Sequence, residues 1–501
     1  MRIVSAPAVA RVLIDGEDLD SVTAPVINPA RVAEVVGSYA LGTARHVDLA
    51  VRAAAAAFPA WSVLPAADRG ERLLHAADEM AGHLPGWAQT LTREVGKVLH
   101  ESRGDATGAV SLTRYFASLA PEVDAERPAV LPHAGRAVLR HAPAGPAGII
   151  APGNAPIYLT FLAVAPALIA GNPVVVKPPE DAPLAVTAAL SVLARMLPPG
   201  VVNIVPGRGD EAGAALTTHP GIRKILFTGS VDTGKRVLRA AADTVKNVGM
   251  ELGGNDAALV LRDAPIGPEL IRELIAGAFT VSGQVCYAVK RIYVDAARLA
   301  EFTAAFIEMA SRIVVGDGFD PRSTIGPVTT RAGYDKVLAL RAACESAGAR
   351  VRVVGTKLDP AGWEEGLFLL PTVVTGLAHD APLVSTEQFG PIIPILPFAD
   401  EEEAVRLAND TGFGLAASVW SADTDRAWRL ARRLEAGSVF VNVHRLGASP
   451  MTVPFGGFKQ SGLGRNHGLE SVFACMEQQA VVEFDDRGAL PGTDHWTAHL
   501  R

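Results

Sequence analysis

Short, almost wholly apolar stretches alternate with helical patterns through the middle of this 501-residue chain. The stretches are rich in β-branched residues: AGII (147–150), PVVVK (173–177), VVNIV (201–205), KILFTG (224–229) and AALVL (257–261). Helical patterns at 158–170 and 184–197 separate the first three of them. A strand that is apolar along its whole length needs cover on both faces, so the alternation predicts an α/β fold with a parallel sheet between helices.

A second series of the same kind runs from about residue 291 to residue 442. Its clearest strands are RIYV (291–294), IIPILPF (392–398) and GSVFVN (437–442). Because 501 residues exceed what one hydrophobic core usually supports, the two series predict two α/β domains.

Three further regions differ from these series. Residues 46–120 have apolar residues at three- and four-residue spacing, which predicts helices with Asp48 and Asp68 as N-terminal caps. Residues 121–145 are proline-rich and strand-like without a helix, and the tail at 480–501 is extended and polar. These last two segments fit neither predicted domain.

Composition narrows the class of protein. The formal net charge is −7 and neither sign of charge forms a long run, which argues against nucleic-acid and anionic-membrane partners. Arg11 and Asp15 interrupt the N-terminal apolar stretch too early for a secretory signal, and no later stretch has the length of a membrane span. Three cysteines are too few for a disulfide framework. We therefore expect a soluble, cytoplasmic protein with reduced thiols.

One of these cysteines has the surroundings of a nucleophile. Cys286 lies in FTVSGQVCYAVKR (279–291), between a glycine-bearing turn and small apolar residues. Such a placement suits a partly exposed catalytic thiol. A small buried hydrophobic residue is the alternative, because free cysteines are often buried without a chemical role.

Two polar residues follow predicted strands and suit catalysis. In MELGGND (250–256), Glu251 precedes two glycines that let the backbone approach a ligand, so its carboxylate can serve as a general base. It can equally be a surface glutamate beside a turn. Asn154 in IIAPGNAP (149–156) can donate to an oxyanion or can cap the next helix.

Other strand ends suit a nucleotide, which parallel sheets bind at their carboxyl edge. FTGSVDTG (227–234) predicts a strand-to-helix turn that offers backbone N–H groups and the Ser230 hydroxyl to an anion. In KPPE, Lys177 and Glu180 leave a buried strand together and suit ribose hydroxyls, although solvated charges at a proline turn have the same pattern. GRGDEAG (207–213) misses the G-x-G-x-x-G spacing by one residue and is weak evidence.

The order of these motifs is more specific than any one of them. APGN, GNPVVVKPPE, FTGSVDTG, MELGG, GQVC, EQFGP (387–391) and PFGGFKQSGLGR (454–465) follow one another as in the aldehyde dehydrogenase superfamily. The chain resembles that family over nearly its full length. The resemblance implies two Rossmann-like parallel-sheet domains with an extended β oligomerisation arm. Residues 1–120 and 146–253 would form the dinucleotide-binding domain, 254–446 the catalytic domain, and 121–145 with 470–501 the oligomerisation segments.

The same resemblance implies the roles of individual residues. Cys286 matches the nucleophile, Glu251 the general base and Asn154 the oxyanion donor. The expected cofactor contacts are Ile150, Pro152, Lys177, Glu180, Gly209, Phe227, Gly229, Ser230, Leu252, Glu387 and Phe389. The expected substrate pocket is lined by Ala155, Tyr158, Leu159, Leu162, Val285, Tyr287 and Phe455.

The implied reaction is oxidation of an aldehyde to a carboxylic acid through a cysteine thiohemiacetal and a thioester. A thiolate adduct makes hydride loss possible, which an electron-poor aldehyde carbon resists. We predict NAD rather than NADP, because a carboxylate at position 180 would repel a 2′-phosphate and accept from free ribose hydroxyls. We predict no metal, and a homodimer or homotetramer.

The substrate is predicted less sharply than the reaction. The apolar pocket, with Leu162 where many relatives have a bulky aromatic residue, favours a medium-chain or aromatic aldehyde. His444 and Arg445 offer a semialdehyde carboxylate site, or are solvated loop charges. A coenzyme A-acylating enzyme is a further alternative, which the glutamate at position 251 disfavours. A non-catalytic relative would have lost Cys286, Glu251 or Asn154, and all are present.

Overall fold

Four of the five strands of the first predicted series pair in one sheet in the computed structural model of the protein, which describes residues 8–131 and 135–484. The fifth, at 257–261, lies in the second sheet, so its assignment to the first series was wrong. Numbered in chain order, the strands of the first sheet lie side by side as β22 (Gly462–Leu463), β12 (Asn247–Glu251), β11 (Lys224–Thr228), β8 (Ala147–Ile150), β9 (Val174–Lys177), β10 (Val202–Ile204), β2 (Val12–Ile14) and β3 (Glu17–Leu19). Neighbours from β12 to β10 are parallel, and the outer pairs are antiparallel. Strands β8 and β9 are buried along their whole length, as the apolar pattern predicted.

The second series forms a separate sheet whose strands are also mostly parallel. Its strands lie in the order β16 (Arg350–Val353), β18 (Thr372–Thr375), β19 (Ile392–Phe398), β14 (Val289–Asp295), β13 (Asp256–Val260), β20 (Ala416–Trp420) and β21 (Ser438–Val441). Only the pair of β16 with β18 is antiparallel within this described sheet. The predicted α/β class with parallel sheets is confirmed.

Helices cover both sheets. They are α1 (Ala44–Ser62), α2 (Ala66–Ala81), α3 (Leu84–Val95), α4 (Leu99–Ser118), α5 (Ala120–Val123), α6 (Pro156–Ile169), α7 (Pro183–Met196), α8 (Ala214–Thr218), α9 (Val231–Ala242), α10 (Pro268–Phe279), α11 (Leu299–Ala310), α12 (Arg331–Ser346), α13 (Pro382–Ser385), α14 (Glu401–Asn409), α15 (Thr424–Ala431) and α16 (Gly468–Phe473). The largest apolar cluster packs α2, α4, α6 and α7 against the first sheet. The α6 helix is apolar nearly all round, which fits its burial in that cluster.

Two predicted helix caps are wrong. The α1 helix begins after Thr43, whose backbone N–H donates to His46 Nδ1 (3.1 Å), and α2 begins after Pro65. Asp48 lies in the second turn of α1, and Asp68 lies in the first turn of α2. The negative charge of Asp68 therefore stabilises α2 by interacting with the positive end of the helix dipole, but Asp68 is not the N-cap.

Three small sheets complete the described chain. Their strands, in spatial order, are β1 (Ala8–Ala10), β5 (Arg31–Ala40) and β4 (Thr23–Asn28) in one, β15 (Val314–Val315) and β17 (Thr356–Lys357) in the next, and β23 (Met476–Phe484), β7 (Gly135–Pro143) and β6 (Arg127–Pro128) in the last. The antiparallel register of β23 with β7 extends from Met476 opposite Pro143 to Phe484 opposite Gly135. The extended β arm expected at 121–145 and after 470 is therefore present.

The expectation that 121–145 lacks a helix is wrong at its start, where α5 lies. This helix buries Ala120 and Val123. Residues 1–7, 132–134 and 485–501, which belong to the predicted N-terminal and arm segments, lie outside the described residues. The predicted domain boundaries stay predictions.

Across the described ranges, no single helix has the length and apolar composition to cross a membrane. The α1 and α2 helices, bent by 120°, meet that test only as a pair.

Candidate active site

Residues from neighbouring strands meet at the carboxyl edge of the first sheet. Ile150 at the end of β8 lies opposite Lys177 of β9 and opposite Phe227 of β11. Thr228 of β11 lies opposite Glu251 of β12. Parallel pairing therefore brings four of the residues expected from sequence to one edge, which is where open α/β sheets bind their ligands.

The turn from β11 to α9 forms an anion-binding geometry at this edge. Ser230 is the N-cap of α9, and its Oγ accepts a hydrogen bond from Thr233 N (3.3 Å). A Cβ at Gly229 would lie 2.6 Å from the Phe227 ring, so the turn needs glycine there. The exposed N-terminus of a helix of this length can hold a phosphate group.

A carboxylate lies beside this edge at the end of β9. Glu180 Oε1 accepts a hydrogen bond from Gly209 N (2.6 Å) and lies 3.8 Å from Lys177 Nζ. Burial lowers the pKa of Lys177. Arg208 faces Asp210 instead, with bonds of 3.0 and 2.9 Å to its two carboxylate oxygens. The Glu180 carboxylate is thus the charged group that faces a ligand at this sheet edge, because Arg208 is bonded to Asp210.

The loop that carries Cys286 has an unusual backbone. Val281 and Ser282 have φ values of 54° and 55°, and Gly283 has φ +74°. Left-handed geometry is a genuine outlier for a β-branched residue, and such strain costs of order 1–3 kcal/mol per residue. It persists only where surrounding contacts over-determine the backbone.

Those contacts come from several distant elements. Glu101 Oε1 on α4 accepts from Val281 N (2.8 Å), and Ser282 Oγ donates to Gly326 O (2.8 Å). A Cβ at Gly283 would lie 2.5 Å from Gly390 O, so the chain before β19 packs directly on the loop. The strained loop is therefore held by α4 and by segments of the second domain.

Asn154 reaches the same loop. Its Nδ2 donates to Gln284 O (3.0 Å), two residues before the thiol, and Ala155 occupies the N-cap position of α6. The capping alternative for Asn154 is therefore wrong. The amide keeps a second N–H donor beside the loop, since an amide nitrogen carries two.

Cys286 is half-buried and Glu251 is buried, and the charge of one acts on the other. Burial raises the pKa of the Cys286 thiol to about 12, with the Glu251 carboxylate among the groups that raise it further. Burial also raises the pKa of Glu251 well above its ordinary value, and nearby Arg465 opposes that rise. A Cβ at Gly254 would lie 2.8 Å from Cys286 O, so the glycine turn after β12 passes against the nucleophile's own peptide. The surface-glutamate alternative for Glu251, which is 8% exposed, is wrong.

Glu387, one of the predicted cofactor contacts, lies next to this turn. Glu387 Oε1 accepts from Gly254 N (3.1 Å). A Cβ at Gly253 would lie 2.3 Å from Glu387 Oε2, so the turn leaves room for that carboxylate only because it is glycine. Phe389, a further predicted cofactor contact, has φ 51°, which makes it another left-handed non-glycine residue. Leu252 packs against α9, where a Cβ at Gly234 would lie 2.6 Å from it.

The predicted substrate residues form an aromatic and aliphatic wall. The rings of Tyr287 and Phe455 meet edge to face at 5.4 Å, and His467 stacks on Phe455 at 5.3 Å. Tyr158 Oη donates to Met451 Sδ (3.4 Å). Of the other predicted pocket residues, Leu162 and Val285 are buried, and Ala155 and Leu159 are half-buried. Pro152, a predicted cofactor contact, is also half-buried.

His444 is not the solvated loop charge that the sequence favoured. It is fully buried, with Nδ1 2.9 Å from Ser418 Oγ and Nε2 3.0 Å from Tyr287 O. Burial lowers its pKa to about 4, so the ring is neutral near pH 7 and offers no charge to a carboxylate. Arg445 is exposed and pairs with Glu273 at 2.8 Å. The predicted carboxylate site does not form from these two residues.

Sequence reasoning missed the residues that support the site. Glu101 and Gln284 hold the nucleophile loop, and His467 and Met451 extend the aromatic wall. Their partners lie far away in sequence, so periodicity gives no signal for them. Lys290 was visible four residues after Cys286, next to Arg291 and just before the apolar run at 292–294, and a charge at that position is a readable signal.

Comparisons with known proteins point to one family. A model of the aldehyde dehydrogenase family matches residues 17–481. Retinaldehyde dehydrogenase 3 of Rattus norvegicus is 37% identical over 456 residues, covering 89% of this chain and 87% of that protein. The mitochondrial succinate-semialdehyde dehydrogenase of Arabidopsis thaliana is 38% identical over 476 residues, covering 93% and 88%.

A solved structure has the same fold. The crystal structure of betaine aldehyde dehydrogenase from Staphylococcus aureus in complex with NAD+ superimposes with a TM-score of 0.91 at 31% identity, covering 97% of each chain.

Proposed function

Because the chain belongs to the aldehyde dehydrogenase family and is an NAD(P)-dependent enzyme that oxidises an aldehyde, we propose that Cys286, Glu251 and Asn154 carry that reaction. One observation carries the assignment. A strained loop presents a thiol to a buried carboxylate at a strand end, and an asparagine amide is bonded to the same loop.

Cys286 attacks the aldehyde carbon as a thiolate. Its raised pKa means that the proton stays on sulfur in the resting protein, so attack requires a base. Glu251 is the neighbouring carboxylate, and its own raised pKa makes it a better proton acceptor than an ordinary glutamate. The proton passes from sulfur to this carboxylate as the carbon–sulfur bond forms.

Asn154 stabilises the oxyanion that forms at the former carbonyl oxygen. Its amide is fixed by the bond to Gln284 O, so the second N–H is oriented before the reaction begins. The backbone N–H of Cys286 is the other donor. Removing one preorganised donor of this kind costs about 3 kcal/mol in the transition state.

The first sheet's edge fits a dinucleotide. The α9 N-terminus suits the pyrophosphate, the Glu180 carboxylate suits ribose hydroxyls, and the glycine turn beside Glu387 leaves room for the second ribose. When bound there, the nicotinamide accepts the hydride. We propose NAD as the preferred form, since Glu180 would face a 2′-phosphate and Arg208 is engaged by Asp210.

Glu251 also completes the reaction. After hydride loss the acyl group is a thioester on Cys286, and an activated water must displace it. The buried carboxylate returns its proton to solvent and then takes one from that water, which gives the carboxylic acid and restores the thiol. This step supports hydrolysis over transfer to coenzyme A.

The wall of Tyr287, Phe455 and Tyr158 supports a medium-chain or aromatic aldehyde. A semialdehyde is the alternative, and the neutral, buried state of His444 weighs against its predicted carboxylate site. A cytoplasmic homodimer or homotetramer stays a prediction.

A substrate and cofactor panel tests these assignments. We expect NADH formation with aliphatic and aromatic aldehydes, and a lower kcat/KM with carboxylated ones and with NADP. Glu180→Gln should lower the ratio of kcat/KM with NAD to kcat/KM with NADP about tenfold. The substitution removes the charge that repels a 2′-phosphate but keeps an oxygen that accepts from ribose hydroxyls. A parent enzyme that prefers NADP, or that works best on semialdehydes, would overturn the corresponding assignment.

A further inference from the structure

Lys290 places a buried ammonium group directly behind the nucleophile. Its side chain is 2% exposed on β14, four residues after Cys286. Nζ donates to Val285 O (2.9 Å) and to Cys286 O. The same nitrogen lies 3.7 Å from Glu387 Oε1.

Two of the three N–H donors of this ammonium group are hydrogen-bonded to backbone carbonyls, and the Glu387 carboxylate pairs with its charge at 3.7 Å. Burying an ammonium is unfavourable unless it is paired and hydrogen-bonded. The arrangement therefore fixes Lys290 in one orientation, between two carbonyls and one carboxylate.

Those acceptors belong to two functional parts of the site. The two carbonyls belong to Val285 and Cys286, in the backbone next to the reacting sulfur. The carboxylate belongs to Glu387, which lies beside the Gly253–Gly254 turn and which we assign to the cofactor side. A single buried cation thus spans the gap between the nucleophile and the cofactor side.

We propose that Lys290 is a positioning residue that holds the peptide of Cys286 against Glu387 and favours the thiolate by its charge. This inference rests on the proposed role of Cys286. Lys290 does not contact the substrate in it. It acts through the nucleophile's peptide and through the field at sulfur.

Among the charged groups around the thiol, Lys290 opposes the effect of three carboxylates on the pKa of Cys286. Glu251 from β12, Asp256 from β13 and Glu387 from the loop before β19 all raise the pKa of Cys286, whereas Lys290 from β14 lowers it. Asp256 has a pKa raised to about 7 by burial, with Lys290 the largest opposing influence and Arg291 a smaller one. The half-buried Tyr287 and the buried His444 complete this surrounding set. Both are neutral near pH 7, since desolvation raises the pKa of Tyr287 and lowers that of His444.

Alkylation of Cys286 by iodoacetamide tests the proposal without any aldehyde. Lys290→Gln keeps a hydrogen-bond donor and removes the charge, and Lys290→Met removes both. We expect the pH midpoint of alkylation to rise by about one unit in both variants, which is about tenfold slower reaction on the rising limb. We expect kcat to fall further in Lys290→Met, because only that variant also releases the loop.

The matched control is Lys336→Met. Lys336 also donates to Glu387, but to its backbone oxygen and from an exposed position (2.6 Å). Its removal should leave the alkylation profile unchanged. If Lys290→Gln alkylates with the parental profile, the proposal is wrong.

Glu387→Gln tests the same coupling from the other side and keeps Lys290 in place. It removes the negative charge next to Lys290, so the alkylation midpoint should fall rather than rise. An unchanged midpoint would contradict the coupling even if neither Lys290 variant folded. NADH formation by the parent enzyme reports the proposed function separately, so the two can fail independently.

Discussion

The nucleophile loop and the β11–α9 turn are two binding geometries built in opposite ways. The turn is local, because Ser230 caps its own helix through Thr233, and Gly229 leaves room for the ring of the nearby Phe227. The loop is non-local. Val281 and Ser282 are left-handed, and contacts from α4 and the second domain hold them there.

The difference shows why the backbone of the nucleophile loop is strained. A turn that binds a phosphate needs only backbone N–H groups, which any capped helix provides. A nucleophile must face its base and its oxyanion donor together, and these come from separate elements. The strain in the loop is therefore the consequence of placing one sulfur atom against several partners.

The largest expected effect on activity comes from removing the sulfur atom of the nucleophile loop. Cys286→Ala should lower kcat by at least about 10⁴-fold, because covalent catalysis is lost as a whole. NAD binding, measured by fluorescence quenching, should change little. Substantial residual turnover would place the nucleophile elsewhere, and Cys344→Ala, a buried cysteine on α12, is the matched control.

Loss of the oxyanion donor is expected to be the next largest effect. Asn154→Ala should reduce kcat by about 10²- to 10³-fold while the melting temperature changes little, since one donor is lost and the loop keeps its other anchors. Steady-state kinetics and calorimetry check this together. An effect confined to KM would argue that the amide only binds ground-state substrate.

Glu101, which anchors the nucleophile loop, allows the contribution of that anchor to the free energy of unfolding to be measured. Glu101→Leu leaves the Val281 N–H without its acceptor, and we expect a loss of about 1–3 kcal/mol in the free energy of unfolding with a fall in kcat of about tenfold. Glu101→Gln keeps an oxygen acceptor and should remain close to the parent. Urea denaturation and kcat are the measurements. Equal behaviour of the two variants would remove the anchor role.

The local turn should give the smallest effect. Ser230→Ala removes the α9 cap, and we expect about 1 kcal/mol less stability with a few-fold higher KM for NAD. Asp400→Ala removes the equivalent cap of α14 and should cost similar stability with no change in KM. A matching KM change in both variants would show that the effect is only one of stability.

The sequence allowed the sheets to be predicted well because their signal is local. The run at 392–398 is β19 from end to end, and 224–229 differs from β11 by one residue. Cap assignments failed where a carboxylate near a helix start was taken as the cap, although Thr43 and Pro65 precede the helices. Charge near an end and capping of that end are separate effects, and sequence shows only the first.

Burial of polar groups was the harder part to predict. His444 follows a strand in a polar-looking loop, yet it is enclosed, and a Cβ at Gly277 of α10 would lie 2.0 Å from its carbonyl oxygen. No periodic pattern predicts that contact. Glu101 and Lys290 are similar cases, because their partners are backbone atoms of a loop whose shape depends on the assembled fold.

The most direct test of the central claim is a single-turnover measurement on Glu251→Gln with NAD and an aldehyde substrate, followed by intact-protein mass spectrometry. We expect a stoichiometric burst of NADH that is slower than in the parent, because the thiol can then lose its proton only to solvent. We also expect an acyl group retained on Cys286, because water is no longer activated to hydrolyse the thioester. A normal steady state with no trapped acyl-enzyme would contradict the paired roles of the thiol and the buried carboxylate.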